Sequence, residues 1–488
     1  MEPVASRLPS EPVASARLPA QRIDAHGREH IDQRAVWALA LPLMANSAVQ
    51  IVLNLTDVWF VGRLSTQALA AVGSVQWLVL VVVLVVGSVS MGVQTWVAQA
   101  QGARHYRRAS QAVWTALWGV LISSPIFIAI GAARHLILAP AGIDPDISVL
   151  ASEFWFPRVG GAFLGAAVWC TFGFFNGVGR PRTTLWVTCA IALTNAILNQ
   201  IFIFRLGLGV AGSGWASTVA QAVGLLLALA VFVGPQYRTR YRSNLTWRPS
   251  LRRIAEQTRL GFPMGLPSAG DVLGFAIFQM MQVRLGVIGG AATQVVMLMT
   301  SIAYLPGWGI ASAGTTLVGQ SIGAGHPGWA AHVGSRVILL AGLFMGGIGI
   351  VLAACGPWIL PLFAQSHDAQ AAAMVNLGTR LLWIAAVYQF FDGINMGSSM
   401  ALRGAGDVMV PAAMVLPLSM LLLVPLAHVL TFAPGEGWFH FLPQLGWGAT
   451  GGWIAVVVYL VILASALFLR WRSGAWRKIK LRARKLRA

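Results

Sequence analysis

Apolar runs of 20 or more residues recur along almost the whole chain, and they limit its fold more than any other feature. An α-helix rises about 1.5 Å per residue, so each run can cross the roughly 30 Å hydrocarbon core of a bilayer. Membrane β-barrels instead alternate apolar and polar residues in segments of about ten. The sequence therefore predicts an all-α membrane protein with twelve transmembrane helices. The runs lie at about 35–62, 72–98, 112–133, 148–173, 183–204, 212–234, 261–287, 291–318, 333–355, 378–402, 408–432 and 446–469.

Composition and charge exclude several other classes of protein. Hydrophobic residues make up 57% of the chain and charged residues only 10%, whereas soluble domains carry about 25% charged residues. The net charge of +19 lies mostly in short clusters between or after apolar runs, as expected for anchors on anionic lipid. We therefore expect the lipid bilayer as a partner, and no nucleic acid. No HExxH motif or other catalytic constellation is visible, so we expect neither an enzyme nor a bound cofactor.

The distribution of positive charge predicts the orientation. If the N-terminus is cytoplasmic, 28 of the 34 Lys and Arg residues fall in cytoplasmic segments. This asymmetry alternates from loop to loop, as the positive-inside rule requires. We therefore predict that both termini are cytoplasmic. The six residues assigned to the other side are Arg63, Arg134, Arg158, Arg205, Arg284 and Arg380.

A weak internal repeat divides the chain into two halves. Gly102 shifted by 221 positions becomes Gly323, and FNGVGRP at 175–181 has a partner in LRGAGD at 402–407. Two six-helix halves that both start on the inside are related by a pseudo-two-fold axis along the membrane normal, a common design in transporters.

The repeat and the charge clusters together predict five segments. They are a disordered cytoplasmic N-terminal tail at 1–34, an N-lobe at 35–234, a basic cytoplasmic linker at 235–260, a C-lobe at 261–470 and a basic cytoplasmic C-terminal tail at 471–488.

Three acidic residues, Asp57, Asp271 and Asp392, fall well inside apolar runs. A carboxylate there costs about 3 kcal/mol or more unless it is paired, hydrated or protonated, so such residues are functional candidates by default. Asp271 and Asp392 both lie near the expected midplane, about 15–18 Å from one end of their helices. They are expected to face a common cavity. The open alternative is a structural role, with each carboxyl protonated and hydrogen-bonded between helices.

A second polar group is predicted in the N-lobe. Asn195 and Asn199 lie one helical turn apart on the same face, and Ser217 reaches a similar depth in the next run. With Asp57 they would form an oxygen-rich cluster suited to Na⁺ or to a proton relay. Two alternatives stay open: Asp57 could pair with Arg63, and the asparagines could serve only to join helices.

Several motifs resemble multidrug and toxic compound extrusion (MATE) transporters. LNLTDVWFVGRLSTQALAAVG, with Pro42 fifteen residues before Asp57, resembles their first helix. GFPMGLPSAGD at 261–271, QSIGAGHP at 320–327 and YQFFDGINMGSSMALRGAGD at 388–407 resemble segments of their second half. The resemblance extends from about residue 36 to 470. It is greatest to the NorM-like branch, although that branch typically has Glu where this chain has Asp271.

The resemblance implies two lobes that rock to give alternating access and export organic cations and amphipathic compounds by antiport with H⁺ or Na⁺. It implies that Asp271 and Asp392 bind substrate and coupling cation in the C-lobe. In the N-lobe it implies cation coupling at Asp57, Asn195, Asn199 and Ser217, and the first three are candidate ligands of a bound Na⁺.

The resemblance also implies a bend of the first helix at Pro42, where a helical N–H is missing. We further expect a monomer in a bacterial inner (cytoplasmic) membrane. The alternative function is a lipid-linked saccharide flippase of a related fold, which should line its cavity with several arginines. A membrane-embedded enzyme is a more distant alternative.

Overall fold

The computed structural model describes residues 18–24, 26, 28–139, 145–363, 369–439 and 441–479. Twelve helices in this part of the chain are long and apolar enough to cross a membrane. Each overlaps one predicted run, so the predicted twelve-helix fold is confirmed. Labelled α1 to α12 in chain order, the helices are Gln33–Gly62, Thr66–Gly102, Tyr106–Ala132, Ile147–Gly177, Pro181–Arg205, Gly209–Val233, Leu251–Arg284, Ile288–Gly323, Pro327–Phe363, Gln370–Ala405, Met409–Thr431 and Gly448–Arg472.

Local sequence signals explain where several helices begin. Asp32 and Ser65 cap α1 and α2, each accepting hydrogen bonds from backbone N–H groups of the first turn. Pro181 and Pro327 stand in the first turn of α5 and α9, where a missing N–H costs nothing. Helix α7 starts at Leu251, ten residues before the predicted run. The apolar run begins later than the helix because the first turns of α7 are polar.

Irregular turns occur within several helices, including a 3₁₀ turn at Leu360–Phe363, the end of α9. A 3₁₀ segment at Gly87–Gly92 interrupts α2, and π-helical turns occupy Gln200–Arg205 in α5 and Leu418–Leu423 in α11. Such π turns are frequent at functional sites, and the one in α5 directly follows Asn199. Pro42 lies inside α1, which continues through it, so the bend expected there stays a prediction.

Each half of the bundle has an apolar core of its own. In the N-lobe, Phe174 of α4 packs edge-to-face on Phe232 of α6, with ring centroids 4.8 Å apart. In the C-lobe, Trp453 of α12 packs edge-to-face on Phe278 of α7, with centroids 5.9 Å apart. A further cluster joins the halves through α1 and α8, where Leu43 and Ile310 share one core. Each half is therefore a packed unit, and α1 and α8 form one of the apolar contacts between the halves.

Polar contacts also join the halves at the end of the bundle where α1 begins and α12 ends, here called the terminal face. From the N-lobe side, Thr95 Oγ1 donates to the carbonyl oxygen of Arg403 over 3.0 Å. One turn later, Gln99 Nε2 donates to the carbonyl oxygen of Gly404 over 3.0 Å. Helix α2 is therefore bound to the end of α10.

Two equivalent hydrogen bonds run from the C-lobe to the N-lobe. Thr316 Oγ1 donates to Asn176 O over 3.0 Å, and Gln320 Nε2 donates to Gly177 O over 2.8 Å. The donors lie 221 positions after Thr95 and Gln99, the shift of the sequence repeat. Helix α8 is therefore bound to the end of α4 as α2 is bound to the end of α10. The terminal face is closed by a pseudo-two-fold set of four hydrogen bonds, here called the seam.

Two glycines allow α2 and α8 to approach closely at the seam. A methyl group built at Gly102 would overlap the backbone carbonyl of Gln320, and one at Gly323 would overlap that of Gln99. Both glycines have ordinary helical backbone, so it is the space between helices, and not the backbone conformation, that requires them. The Gly102 and Gly323 of the sequence repeat therefore mark the point of closest contact.

The segment before α1 differs from the predicted disorder over 1–34. Residues 1–17, 25 and 27 lie outside the described residues, but strands β1, Gln21–Ile23, and β2, Glu29–Ile31, form an antiparallel hairpin. Trp329 Nε1 at the start of α9 donates to Pro19 O over 2.9 Å. The hairpin is ordered because it is anchored on the C-lobe, a contact that composition does not reveal.

The two basic segments also carry structure. A helix at Pro235–Tyr241 follows α6, and the chain then runs along α3, where Trp114 Nε1 donates to Ser243 O over 2.7 Å. After α12, Trp476 stacks on Trp471 with ring centroids 4.5 Å apart. Residues 480–488 of the predicted C-terminal tail lie outside the described part of the chain.

Candidate functional site

The four polar residues predicted to meet in the N-lobe form one hydrogen-bonded cluster. Asp57 of α1 accepts from Asn199 Nδ2 of α5 at Oδ1 over 2.6 Å, and from Ser217 Oγ of α6 at Oδ2 over 3.3 Å. Asn195 Nδ2 donates to Ser217 Oγ over 3.2 Å, and Asn199 Nδ2 also contacts Asn195 Oδ1 over 3.1 Å. The cluster therefore joins three helices, with both asparagines fully buried.

The cluster has a neighbour that the sequence placed elsewhere. Arg158 of α4 lines one small cavity together with Asn195 and Ser217. It interacts electrostatically with Asp57. Arg63, the partner considered for Asp57, instead lies over the ring of Trp59, 5.0 Å from its centroid. Arg158, and not Arg63, is therefore the basic residue that acts electrostatically on Asp57.

The two acidic residues of the C-lobe stand in different surroundings. Asp271 of α7 is half-buried and accepts a hydrogen bond at Oδ1 from the Tyr459 hydroxyl of α12 over 2.6 Å. Asp392 of α10 is 6% exposed and accepts at Oδ1 from Asn395 Nδ2 over 3.2 Å. Asp392 Oδ2 is buried and has no hydrogen-bond partner among the described residues. One carboxylate oxygen is thus left free to take a ligand.

Electrostatic interactions connect these two carboxyl groups. Asp271 and Asp392 interact with each other and with Tyr459, and Tyr304 of α8 interacts with both. Arg403 donates from Nη2 to Ser268 Oγ over 3.2 Å and interacts with Tyr304. The C-lobe site is therefore a pair of carboxyl groups surrounded by aromatic hydroxyls.

The structure thus brings the N-lobe residues into direct contact and Asp271 and Asp392 into electrostatic contact. Sequence reasoning missed Arg158 and Tyr459. The predicted run 148–173 already contained Arg158, so its depth was readable, although its partner was not. Tyr459 had no such signal, because an aromatic residue in an apolar run more often belongs to a lipid-facing or interfacial belt.

Comparison with known families gives one match, in both halves. The family model described as MatE matches residues 42–201 and 263–429. Together these segments cover more than half of the chain, one in the N-lobe and one in the C-lobe.

Curated relatives cover nearly the whole chain. A protein named Probable multidrug resistance protein NorM, from Burkholderia mallei, is 30% identical over 446 residues, which cover 89% of this chain and 91% of the relative. Multidrug resistance protein NorM of Burkholderia vietnamiensis is 29% identical over 446 residues, covering 89% and 92%.

Solved structures share the fold. A crystal structure of MATE in complex with MaL6 has a TM-score of 0.80 at 22% identity, covering 91% of this chain and 97% of that chain. A MOP superfamily transporter from Pyrococcus furiosus, whose binding pocket is described as having reverse polarity, has a TM-score of 0.78 at 21% identity and covers 91% and 96%. At these identities the likeness concerns the fold alone.

Proposed function

The chain belongs to the multidrug and toxic compound extrusion (MATE) family, and from that membership we propose that it exports organic cations and other amphipathic compounds by antiport with H⁺ or Na⁺. It is a multi-pass membrane transporter of the multidrug efflux class, with small molecules as substrates, and not an enzyme.

The free oxygen of Asp392 is the observation that carries the proposal. A buried carboxylate oxygen without a partner gains more from an arriving cation than one that already accepts hydrogen bonds. Asp271 adds a second acidic group nearby, so the pair attracts one cation strongly and a second one weakly. A coupling ion and a cationic substrate would therefore displace each other from Asp271 and Asp392.

Aromatic rings suit the same substrates. Tyr388, on the turn before Asp392, is buried beside these carboxyl groups and interacts electrostatically with Asp392 and Tyr304. Such π faces attract organic cations that have lost part of their hydration shell. The aromatic surroundings thus favour amphipathic cations over strongly hydrated ones.

The seam supports a rocking mechanism of alternating access. We place the terminal face, with both chain termini, on the cytoplasmic side of a bacterial inner membrane, following the positive charge of its loops. The closed seam then corresponds to the state that is shut toward the cytoplasm. Rocking of two packed lobes would break these four bonds and expose the sites to the cytoplasm. A bend at Pro42, beside the contact between α1 and α8, would assist this movement.

A flippase for lipid-linked saccharides is less well supported. Such a protein needs several arginines that are free to bind a pyrophosphate. Two arginines of the membrane helices already interact with other residues: Arg158 interacts electrostatically with Asp57, and Arg403 donates a hydrogen bond to Ser268. The curated relatives are also named as multidrug resistance proteins.

Proteoliposomes containing the purified protein as a monomer test the proposal. Uptake of ethidium is measured under an outward H⁺ gradient and, separately, an outward Na⁺ gradient. We expect one gradient to drive uptake and Asp392→Asn to abolish it. Glu153→Gln, which alters an exposed carboxylate in α4, serves as the matched control and should transport normally. Undiminished uptake by Asp392→Asn would refute the role of the carboxylate, and uptake under neither gradient would refute antiport.

A further inference from the structure

An open cavity with basic walls lies on the terminal face, between the turn that joins α2 to α3 and the linker that follows α6. Its volume is about 460 Å³, within the range of cavities that hold small ligands. Five arginines line it, and they are Arg104, Arg107 and Arg108 on one wall and Arg240 and Arg242 on the other. Among the described residues, no Asp or Glu lines the cavity, which is therefore strongly positive.

The acidic residue closest to the cavity in the linker does not neutralise it. Glu256 is the one carboxylate between residues 235 and 260, and it pairs with Arg252 over 3.4 Å. None of the ion pairs in the described part of the chain includes Arg104, Arg240 or Arg242. The charge of these three arginines is therefore available to an anionic ligand.

Two tyrosines hold Arg240 in place. Its Nη2 donates to the Tyr106 hydroxyl over 2.7 Å, and its guanidinium lies 4.3 Å from the centroid of the Tyr106 ring. The ring of Tyr241 packs edge-to-face on that of Tyr106, and the Tyr241 hydroxyl donates to Gln101 Oε1 over 2.9 Å. A guanidinium fixed in this way loses little freedom on binding a phosphate, and its other N–H groups stay available as donors.

Arg104 has a backbone conformation that three equivalent turns assign to glycine. Helices α2, α4, α8 and α10 end in turns that are closed by the same bond, from an N–H to the carbonyl oxygen five residues earlier. The residue before that N–H has positive φ, and it is Gly179, Gly325 or Gly406 in three turns but Arg104, with φ 57°, in the fourth. A Cβ atom is unfavourable in this conformation, so glycine would fit the turn better. Arg242, on the opposite wall, also has positive φ, at 51°. Strained residues cluster where a ligand is bound, which favours a role for both arginines at the cavity.

An apolar surface continues from the cavity along α3. The Trp118 indole Nε1 donates to Trp247 O over 2.6 Å, so the linker follows α3 as far as Trp118, twelve residues or about 18 Å beyond Tyr106. Leu245 and Trp247 are exposed in this part of the linker, as is Leu121 in α3. A basic layer followed by exposed apolar side chains matches the order of headgroups and acyl chains in a bilayer.

We propose that this cavity binds the headgroup of an anionic phospholipid. The phosphate oxygens accept from Arg104, Arg240 and Arg242, and an acyl chain lies along Leu245 and Trp247. A soluble phosphate compound gains the contacts with the arginines but not those with the apolar surface, so the arrangement favours a lipid. The bound lipid joins the α2–α3 turn, next to the seam, to the linker that leads into the C-lobe. This inference is independent of the coupling ion and of the exported substrate.

Native mass spectrometry of the purified full-length protein tests the proposal, with dioleoyl phosphatidylglycerol and dioleoyl phosphatidylcholine as the two probes. We expect one phosphatidylglycerol to bind more tightly than phosphatidylcholine. Arg240→Gln/Arg242→Gln should weaken that binding roughly ten- to thirtyfold, because two contacts with the phosphate are lost. No preference for phosphatidylglycerol in the unaltered protein would overturn the proposal.

The matched control is Arg182→Gln/Arg336→Gln, which removes two exposed arginines of α5 and α9 that do not line the cavity. It lowers the net charge by the same amount and should bind phosphatidylglycerol as the unaltered protein does. Equal weakening in both double variants would show a general effect of charge and would also overturn the proposal.

Arg104→Gly separates lipid binding from folding. Glycine suits the left-handed turn, so the Tm measured without anionic lipid should not fall. The affinity for phosphatidylglycerol should nevertheless fall about fivefold, because one charge is lost from the cavity. An unchanged affinity in this variant would contradict the assignment of Arg104 to the site.

Glycerol 3-phosphate distinguishes a lipid from a soluble phosphate as the ligand, because it has the phosphate without the acyl chains. We expect a large excess of glycerol 3-phosphate to leave phosphatidylglycerol bound. We also expect Leu245→Asn to weaken the binding of phosphatidylglycerol. Displacement of the lipid by glycerol 3-phosphate, or unchanged lipid binding in Leu245→Asn, would refute the lipid as the ligand.

Discussion

Gln99 of α2 and Gln320 of α8 make equivalent hydrogen bonds in opposite directions. Each donates from Nε2 to the carbonyl oxygen of a glycine in the other lobe, over 3.0 and 2.8 Å. Gly102 and Gly323, one turn further along, permit this approach. The terminal face is therefore closed by two copies of one contact. Its closure depends on the lack of side chains at Gly102 and Gly323 as well as on the four hydrogen bonds.

Gly102→Ala should destabilise the closed seam. The added methyl group meets the Gln320 backbone carbonyl, which cannot rotate away, so overpacking of about 1–3 kcal/mol is expected. That corresponds to a shift of roughly five- to 150-fold toward the open terminal face, with a loss of export. Spin labels at the exposed positions Arg107 and Gly328, one in each lobe, would measure the shift as a longer distance.

The control for this variant lies in the same helix. Gly73 of α2 has open space around the position of a Cβ atom, so Gly73→Ala should leave the label distance and export unchanged. An identical distance distribution in Gly102→Ala and the unaltered protein would contradict the role assigned to the close approach.

Tyr459→Phe should weaken substrate binding without stopping transport. The variant removes the hydroxyl that holds Asp271 Oδ1, a bond worth about 1 kcal/mol. We expect KM for ethidium uptake to rise about three- to tenfold, with the maximal rate preserved. Tyr237→Phe is the control, because that buried hydroxyl has no hydrogen-bond partner among the described residues. An unchanged KM in Tyr459→Phe would argue against a positioning role for Tyr459.

Asp407→Asn should destabilise the C-lobe by more than the loss of an exposed ion pair would. Asp407 is buried, and Arg470 Nε donates to its Oδ2 over 2.8 Å. Removing one partner leaves the other charge poorly compensated, at a cost of about 2–4 kcal/mol. Unfolding in an SDS titration would measure the loss, and Asp407→Asn/Arg470→Gln should recover part of it.

The exposed pair Arg252–Glu256 in α7 is the control for this measurement. Glu256→Gln should cost less than about 1 kcal/mol, because exposed ion pairs contribute little. Equal losses in Asp407→Asn and Glu256→Gln would contradict the structural weight given to the buried pair.

The hairpin before α1 should open in acid. The backbone N–H of Arg28, and also that of His26, donates to Asp24 Oδ1, which lowers the pKa of Asp24 below its ordinary value of 3.8. Because the pKa is lower in the hairpin than in the open chain, the carboxylate stabilises the hairpin fully above 3.8. This contribution disappears as the pH falls from there through the lower, folded value.

Hydrogen exchange at the Arg28 amide would follow this opening. Asp24→Asn should remove the pH dependence, whereas Glu29→Gln, which alters an exposed side chain in β2, should preserve it. Protection that stays constant down to the lowest pH tested would contradict the prediction.

The helices were predictable because each is a long apolar run, which needs no tertiary information. The N-lobe cluster was predictable for a related reason, since Asn195 and Asn199 are one turn apart and reach the expected depth of Asp57. The hairpin was not predictable. Its order depends on Trp329, more than 300 positions away in the chain, while its own composition is mostly polar.

Arg158 shows the limit of charge counting. Its assignment to the non-cytoplasmic side satisfied the orientation rule, although the residue lies well inside an apolar run. Only the packing of α4 on α5 and α6 shows that it lines the same cavity as Asn195 and Ser217. The seam could not be predicted from the sequence, because its acceptors are backbone carbonyl oxygens, which have no sequence signature. Gly102 and Gly323 could be matched as a repeat, but not recognised as the contact itself.

The bond from Trp329 to Pro19 places the two ends of one short segment on different lobes. Residue 19 is held by the C-lobe, whereas the chain enters the N-lobe at Gln33. A fluorescent protein fused ahead of residue 18 would therefore move with the C-lobe, although the chain leads from it into the N-lobe. Energy transfer from it to a dye on α3 would follow each transport cycle in real time.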